Sequence, residues 1–391
     1  MILESPCETE RPDPPQTHVC LISGQPLANL VPLLLEKPQK ALFIVSPEMH
    51  TQAERLGRVV RPRGITLDFR KVASAYDFTA ILKVCEEIIT TCPDKEGLTL
   101  NVTGGTKIAA LAAFQSFYFN NRRIVYLDTF NNTLLQLAPE NDAIAMRDNL
   151  IKVRDCLVAY GMNPLSGNTP AHPLVRRPGL DDLAKLLVAA GDLLGRLNNA
   201  IARCGKNPSF ANLALNDLGA GAENLAFLLE GCGAASRTSS AGLNIPSREK
   251  IFFCQGGWLE EYVYWAVKDL GLQGLDLAMN VKVEWDGKGK QPTENEFDVL
   301  FTHANRLHLI SCKAGNPERQ TASGSRATEA LNELDALADR TGGLFGRAML
   351  VSARRLSEFD RERARKMKIH LVEAEAVNRL RDELRRWIEE R

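Results

Sequence analysis

The chain has 391 residues, 45% hydrophobic, 25% charged and 6% aromatic, and its 48 basic residues balance its 48 acidic ones. That length predicts two or three domains rather than one core, and zero net charge excludes a global basic field, so an anionic partner has to be held by local patches. No apolar run reaches the roughly 18 residues of a membrane-spanning helix, and nine scattered cysteines with no CxxC pair suggest neither a zinc site nor a disulfide framework.

Residues 1–16 are acidic and proline-rich, without the basic and apolar regions of a signal peptide. The expected location is the cytoplasm, with most cysteines as small core residues in a reducing compartment. From there to about residue 145, short apolar runs alternate with amphipathic stretches. Strands are predicted at 17–23, 41–45, 66–69, 97–101 and 123–127, and helices at 26–36, 48–58, 75–90 and 105–119. Buried runs alternating with helices imply a parallel sheet covered on both faces. A further strand at 132–137 follows the turn-forming pair Asn131-Asn132. This is a Rossmann-like α/β domain, assigned to 1–148.

The segment 149–248 reads as a helical linker region: turn formers at 162–178, helices at 179–199 and 211–230, and a small-residue, polar loop at 231–248. The remainder, 249–391, is a second α/β unit. It is predicted as a helix at 255–270, strands at 278–285, 295–301 and 306–312, a helix near 325–339, a strand at 347–352, a helix at 357–367, a short strand at 369–372 and a last helix at 375–390.

Two βα junctions of the first domain carry chemistry. Ser23, Gly24, Gln25 and Asn29 follow its first strand, and Thr103, Gly104, Gly105, Thr106 and Lys107 follow the strand at 97–101. In open α/β sheets ligands bind at this edge. Glycines allow close backbone approach, and a helix N-terminus offers N–H groups and positive dipole charge to a phosphate. The Walker A spacing and GxGxxG are both absent. The same glycines also suit plain tight turns, and Ser23 and Asn29 suit helix caps.

In the last domain, Glu260 lies in the predicted helix, Glu296 and Asp298 share one face of a strand, and Ser311 and Lys313 share one face of the next. Hydrolysis of a phosphodiester uses a hard divalent cation on carboxylate oxygens and a cation beside the developing charge. Asp298 is the first candidate ligand for Mn²⁺ or Mg²⁺. Glu260 and Glu296 support it, and Lys313 positions water or stabilises charge. His303 and His308 are read as turn and strand-face residues. The basic run from Arg354 to Lys368 is interleaved with Glu358, Asp360 and Glu362, which fits a solvated helix face; a phosphate-tracking stripe extended by Arg319 and Arg326 is the alternative.

The stretches VCLISGQPLANLVPLL and LTLNVTGGTKIAALAAF resemble the two signature regions of CARF (CRISPR-associated Rossmann fold) domains, over roughly 15–140. The resemblance implies a two-fold homodimer that senses a cyclic oligoadenylate, with Ser23, Gln25, Asn29, Thr103, Gly104, Gly105, Thr106 and Lys107 as contacts. Residues 249–372 resemble the restriction-endonuclease-like PD-(D/E)xK nucleases, with Ser311 where that pattern has an acidic residue two before the lysine. The whole chain resembles CRISPR ancillary nucleases of type III immunity that fuse the two. This implies activation by cyclic tetra-adenylate and metal-dependent cleavage of single-stranded RNA, DNA, or nicked duplex DNA, with 149–248 relaying the change. Two other readings remain open: a cyclic-oligoadenylate-binding regulator with a degenerate nuclease centre, and cleavage of the cyclic ligand by the first domain itself.

Overall fold

The computed structural model describes residues 16–92, 97–146, 149–165, 176–205, 208–238, 241–286, 294–322, 324–341 and 346–390. The chain divides into two compact units, one formed by Met1–Ile151 with Val158–Gly161, the other by Lys152–Leu157 with Met162–Arg391.

The first unit carries strands β1 (Thr17–Leu21), β2 (Lys40–Val45), β3 (Thr66–Lys71), β4 (Leu98–Asn101), β5 (Arg123–Asp128), β6 (Thr133–Ala138) and β7 (Asp142–Ala145). Between them lie helices α1 (Leu27–Glu36), α2 (His50–Val60), α3 (Phe78–Thr91) and α4 (Lys107–Phe119). The sheet order is β3-β2-β1-β4-β5-β6-β7. Strands β1 to β5 run parallel, and β6 and β7 append an antiparallel edge. The central strands are apolar nearly throughout because helices cover both faces: Val19, Phe43 and Leu100 are fully buried. On α2 the buried Ala53, Leu56, Val59 and Val60 recur at helical spacing with polar residues between. Asp77 caps α3, its carboxylate accepting the Ala80 N–H at 2.9 Å.

Helix α5 (Val153–Ala159) lies at the division of the chain. The second unit then runs through β8 (Met162–Pro164), α6 (Leu180–Ala189), α7 (Leu193–Arg203), β9 (Ala211–Ala214), α8 (Ala222–Gly231), β10 (Ser236–Thr238), β11 (Gly242–Ile245), α9 (Arg248–Phe252) and α10 (Trp258–Lys268). It continues with β12 (Asp276–Trp285), β13 (Glu294–His303), β14 (Arg306–Lys313), β15 (Gln320–Thr321), β16 (Gly324–Ser325), α11 (Arg326–Thr341), β17 (Gly346–Ser352), α12 (Glu358–Lys366), β18 (His370–Glu373) and α13 (Leu380–Glu389). Its main sheet has the order β18-β17-β14-β13-β12-β8. The three strands β14, β17 and β18 are parallel, and β8, β12, β13 and β14 are antiparallel.

The segment expected as a helical linker contributes to this unit's core. Leu183, Leu197, Leu225 and Ile245 join one apolar cluster with Trp258, Val299, Met349 and Trp387. Met162–Pro164, expected as linker, pairs with β12 as an edge strand. The expected helix at 211–230 divides into β9, a 3-10 turn at Leu215–Leu218 and α8, and the expected loop at 231–248 supplies β10 and β11, which complete a small sheet with β9. On α13, Leu380, Leu384 and Trp387 form the buried stripe and the charged residues face out.

Candidate functional site

Strands β1 and β4 are adjacent and parallel, so their carboxyl-end loops lie side by side where the strand order reverses. Gly104 closes this junction: a Cβ there would stand 2.4 Å from the Leu21 carbonyl oxygen. Gly105 takes a φ of 82°, which favours glycine.

Buried asparagines lock the loops together. Asn29 donates its amide to the Leu21 carbonyl at 2.8 Å. Asn101 donates to the Ala28 carbonyl at 2.9 Å and to Asn29 Oδ1 at 3.0 Å. Thr103 donates its hydroxyl to Asn101 Oδ1 at 2.6 Å and accepts the Leu127 N–H at 2.7 Å. Thr106 caps α4 by accepting the Ala109 N–H at 3.1 Å, and donates to the Ala75 carbonyl at 2.6 Å. Of the expected contact residues, Asn29 and Gly104 are therefore buried, and Thr103 and Thr106 spend their hydroxyls inside the fold. Ser23, Gln25 and Gly105 are half-buried, and Lys107 is exposed at the first turn of α4. Tyr160 donates its hydroxyl to Gln25 Oε1 at 3.3 Å and so orients that side chain.

The second cluster is built by β13, β14 and α10. The β13–β14 ladder ends at Val299 opposite Ile310. One step further, the Asp298 carboxylate takes over the role of the backbone. Its Oδ2 accepts the Cys312 N–H at 2.6 Å and the Ser311 hydroxyl at 3.1 Å, and Lys313 Nζ lies 3.5 Å away. Burial pulls the lysine's pKa down, but the Asp298, Cys312 and Glu333 charges outweigh it and raise it above the ordinary value. Glu260 projects from the first turn of α10. Burial, then repulsion by Asp298 and Glu296, push its carboxyl up to about 8, against the pull of Lys313 and a hydrogen bond from Asn280. Glu260 Oε2 is buried and has no hydrogen-bond partner among the described residues.

Glu296 is exposed and pairs across to Lys282 at 3.8 Å, while lining the same small cleft as Asp298, Ser311, Lys313 and Glu333. Among the described residues no three His, Cys, Asp or Glu side chains make a complete metal cage. Two carboxylates do fit a hard cation: the pinned Asp298 and the orphaned, charge-repelled Glu260. In phosphate chemistry Mg²⁺ commonly takes only one or two protein carboxylates and completes its shell with water and substrate oxygens.

A model of the Card1 CARF domain matches residues 17–155, and one of the Card1-like endonuclease domain matches 247–391. The chain belongs to the CRISPR ancillary nucleases that join these two domains. It is similar in structure to Can2 from Sulfobacillus thermosulfidooxidans, solved in complex with cyclic tetra-adenylate: 26% identity, TM-score 0.75, covering 96% of this chain and 98% of that one. Similarity to VC1899 from Vibrio cholerae is at 26% identity and TM-score 0.81, over 95% and 97% of the two chains. A type III CRISPR defence DNA nuclease activated by cyclic oligoadenylate shares the fold at 17% identity and TM-score 0.50, over 87% of this chain and 46% of that one. No curated protein matches the sequence.

The endonuclease domain holds residues that sequence reading passed over. Asn280 lies in β12 with a φ of 53°, in a register that sets it opposite Asp298, and its Oδ1 is buried without a partner. A non-glycine residue held left-handed inside a strand is uncommon, and asparagine is among the few that tolerate it. Glu333 of α11 is the other. The basic run of α12 takes its solvated form: Arg361 pairs with Glu358 and Glu373, Arg365 with Glu362, and Arg363 donates to Asn332. His308 is buried and stacks on Phe301 with ring centroids 4.4 Å apart, a core role. Among the described residues no helix is long and apolar enough to cross a membrane, and the eight described cysteines are all free.

Proposed function

We propose that the chain is a metal-dependent endonuclease switched on by cyclic tetra-adenylate, acting on single-stranded RNA or DNA in type III CRISPR defence in the cytoplasm. The observation that carries this reading is the approach of Glu260, Asp298 and Lys313 in one charged cluster of the endonuclease domain, with Lys313 lining the cleft of each carboxylate. Glu296 is a supporting carboxylate there. In the CARF domain, Ser23, Gln25 and Lys107 present side chains to the ligand's phosphates and bases. Gly104 and Gly105 let the backbone approach, and Asn29, Thr103 and Thr106 hold that backbone in place. We place the domain limits at 1–148, 149–248 and 249–391, with the part of the middle segment from Met162 onward in the same compact unit as the last.

When bound, Mn²⁺ or Mg²⁺ supplies Lewis acidity toward a phosphate oxygen and a water of lowered pKa. Asp298 and Glu260 would hold it, and Glu260 would release its proton on doing so. Lys313 donates to oxygens that gain charge as the phosphate is attacked. Asp298 keeps Lys313 protonated and aimed.

A homodimer is supported by the apolar face that α4 leaves exposed, where Leu111 is 61% and Phe119 is 78% exposed. A two-fold ligand matches a two-fold interface. The direct test incubates the protein with Mn²⁺ and labelled single-stranded RNA or DNA, with and without cyclic tetra-adenylate. Cleavage is expected only with both, and cleavage indifferent to the activator refutes the gating. A second reading, a ligand-responsive regulator, is favoured by Ser311, whose hydroxyl is a poor metal ligand. Activity that survives both Asp298→Ala and Lys313→Ala would favour it.

A further inference from the structure

A cavity of about 320 Å³ opens beside the catalytic cluster and shares Glu260 and Lys313 with it. Its far side is lined by Phe252, Gln255, Asn198 and Arg326. We infer that this cavity is a subsite for one unstacked nucleotide of a single-stranded substrate, with the base stacked on Phe252 and the adjoining phosphate held by Arg326. The inference rests on the nuclease reading for the identity of its ligand.

The ring of Phe252 is half exposed where it borders the cavity. The chain is built to hold it there. Between α9 and α10 the backbone kinks at Gly256, within Phe253–Gly257, just ahead of the helix that carries Glu260. Gly257 has no side chain where the ring lies: a Cβ would stand 2.6 Å from Phe252 Cε1. An aromatic face kept partly in solvent beside a phosphate-cleaving centre is the common platform for bases, since every base has a π-face.

The polar groups suit a nucleotide as well. Arg326 is exposed, makes no ion pair among the described residues, and lies across Gly315, where a Cβ would meet its guanidinium at 3.2 Å. Its backbone is fixed rather than floppy. The Arg326 N–H donates to the Arg319 carbonyl at 3.1 Å. Two residues on, Thr328 donates to the buried Asp360 at 2.9 Å, which also accepts the Ser357 hydroxyl at 2.7 Å. Asn198 gives its amide N–H to the Gln255 carbonyl at 3.2 Å, which ties two residues of the cavity wall together.

The volume lies at the lower end of ligand pockets, the scale of one nucleotide. A base reaches such a site only by leaving its stack, which costs least in a single strand. Because Glu260 and Lys313 also line the cavity, the occupant sits next to the phosphate that is cut.

The test uses the full chain in EDTA, so that binding is read without cleavage, and oligothymidylate carrying one 2-aminopurine. Parallel arms use the ribo-oligonucleotide and a duplex of equal length. Wild type is expected to quench the probe on binding. Phe252→Ala should lose the quench and weaken single-strand binding roughly tenfold, Phe252→Tyr should restore both, and duplex binding should not change. Arg326→Ala should weaken binding and keep the quench. Single-strand affinity and quench unaffected by Phe252→Ala, or a wild type that binds duplex as well as single strand, would overturn the subsite. Absence of cleavage by wild type with Mn²⁺ and activator sinks the nuclease reading instead, and the binding result is independent of it.

Discussion

Glu260 has its chemistry strongly distorted by its surroundings. Its folded-state carboxyl sits near 8, against an ordinary value of 4.5. The folded form therefore holds a proton that the unfolded chain gives up. Stability from this group is fully present below about pH 4.5 and is lost as pH rises through 8, by an amount on the order of a few kcal/mol. Thermal unfolding in EDTA should show Glu260→Gln and wild type matched at pH 4.5, with the variant gaining steadily up to pH 8 and no further. Addition of Mn²⁺ should reverse the order, because only wild type has the carboxylate to bind it. A constant offset across pH would rule out the buried, repelled carboxyl. Asn280 can be dissected in the same way. Asn280→Gly keeps the left-handed backbone and removes the amide that supports Glu260. Cleavage should fall ten- to a hundredfold, the usual cost of losing an outer-shell partner, with little change in melting temperature. Asn280→Ala adds roughly 1–2 kcal/mol of backbone strain, so its melting temperature should drop as well.

At the scale of elements, Gly104 shows how the sensor loops are assembled. A methyl group there collides with the Leu21 carbonyl, and backbone cannot swing aside as a flexible side chain can. Gly104→Ala should cost about 1–3 kcal/mol and weaken cyclic tetra-adenylate binding by spreading β1 from β4. Ser23→Ala should weaken binding and leave stability within experimental error. Calorimetric binding and unfolding of both variants tests the pair, and a Gly104→Ala protein of native stability would contradict the close packing. The alternation that makes this domain was readable because its strands are short apolar runs, such as ALFIV at 41–45, separated by amphipathic helices. The carboxylate strand was readable for a similar reason: period-two spacing sets Glu296 and Asp298 on one face, and the Asp298–Lys313 approach followed from it. Other features left no local signature. Met162–Pro164 is too short for any periodicity, and its strand state comes from pairing with β12. The Leu- and Ala-rich run at 211–230 suits helix and strand alike, so tertiary packing decides it. Asn280 looks like any polar strand residue until its φ is known. Glu333 stands 20 positions beyond Lys313, too far for a spacing argument.

For the whole molecule, gating is a statement about coupled equilibria, and it constrains both domains at once. If cyclic tetra-adenylate favours the cleavage-competent form, Lys107→Ala should raise the activator concentration for half-maximal cleavage and leave the maximal rate alone. Asp298→Ala should abolish cleavage and leave activator binding intact. Leu111→Glu together with Phe119→Glu puts charge on the exposed face of α4 and should yield monomers by light scattering. Those monomers should lose activator-dependent cleavage while the separate domains stay folded, because a two-fold ligand then has only half its site. The most demanding consequence is reciprocity. A ligand shifts an equilibrium only by its differential affinity for the two states. An activator that tightens substrate binding must therefore be bound more tightly, by the same factor, when substrate is present. Couplings of this kind are typically about 5- to 150-fold. With Asp298→Ala to prevent turnover, the dissociation constant of cyclic tetra-adenylate should fall by that factor on saturation with single-stranded oligonucleotide. Equal values with and without the oligonucleotide would mean that activation changes the chemical step alone and leaves strand binding untouched.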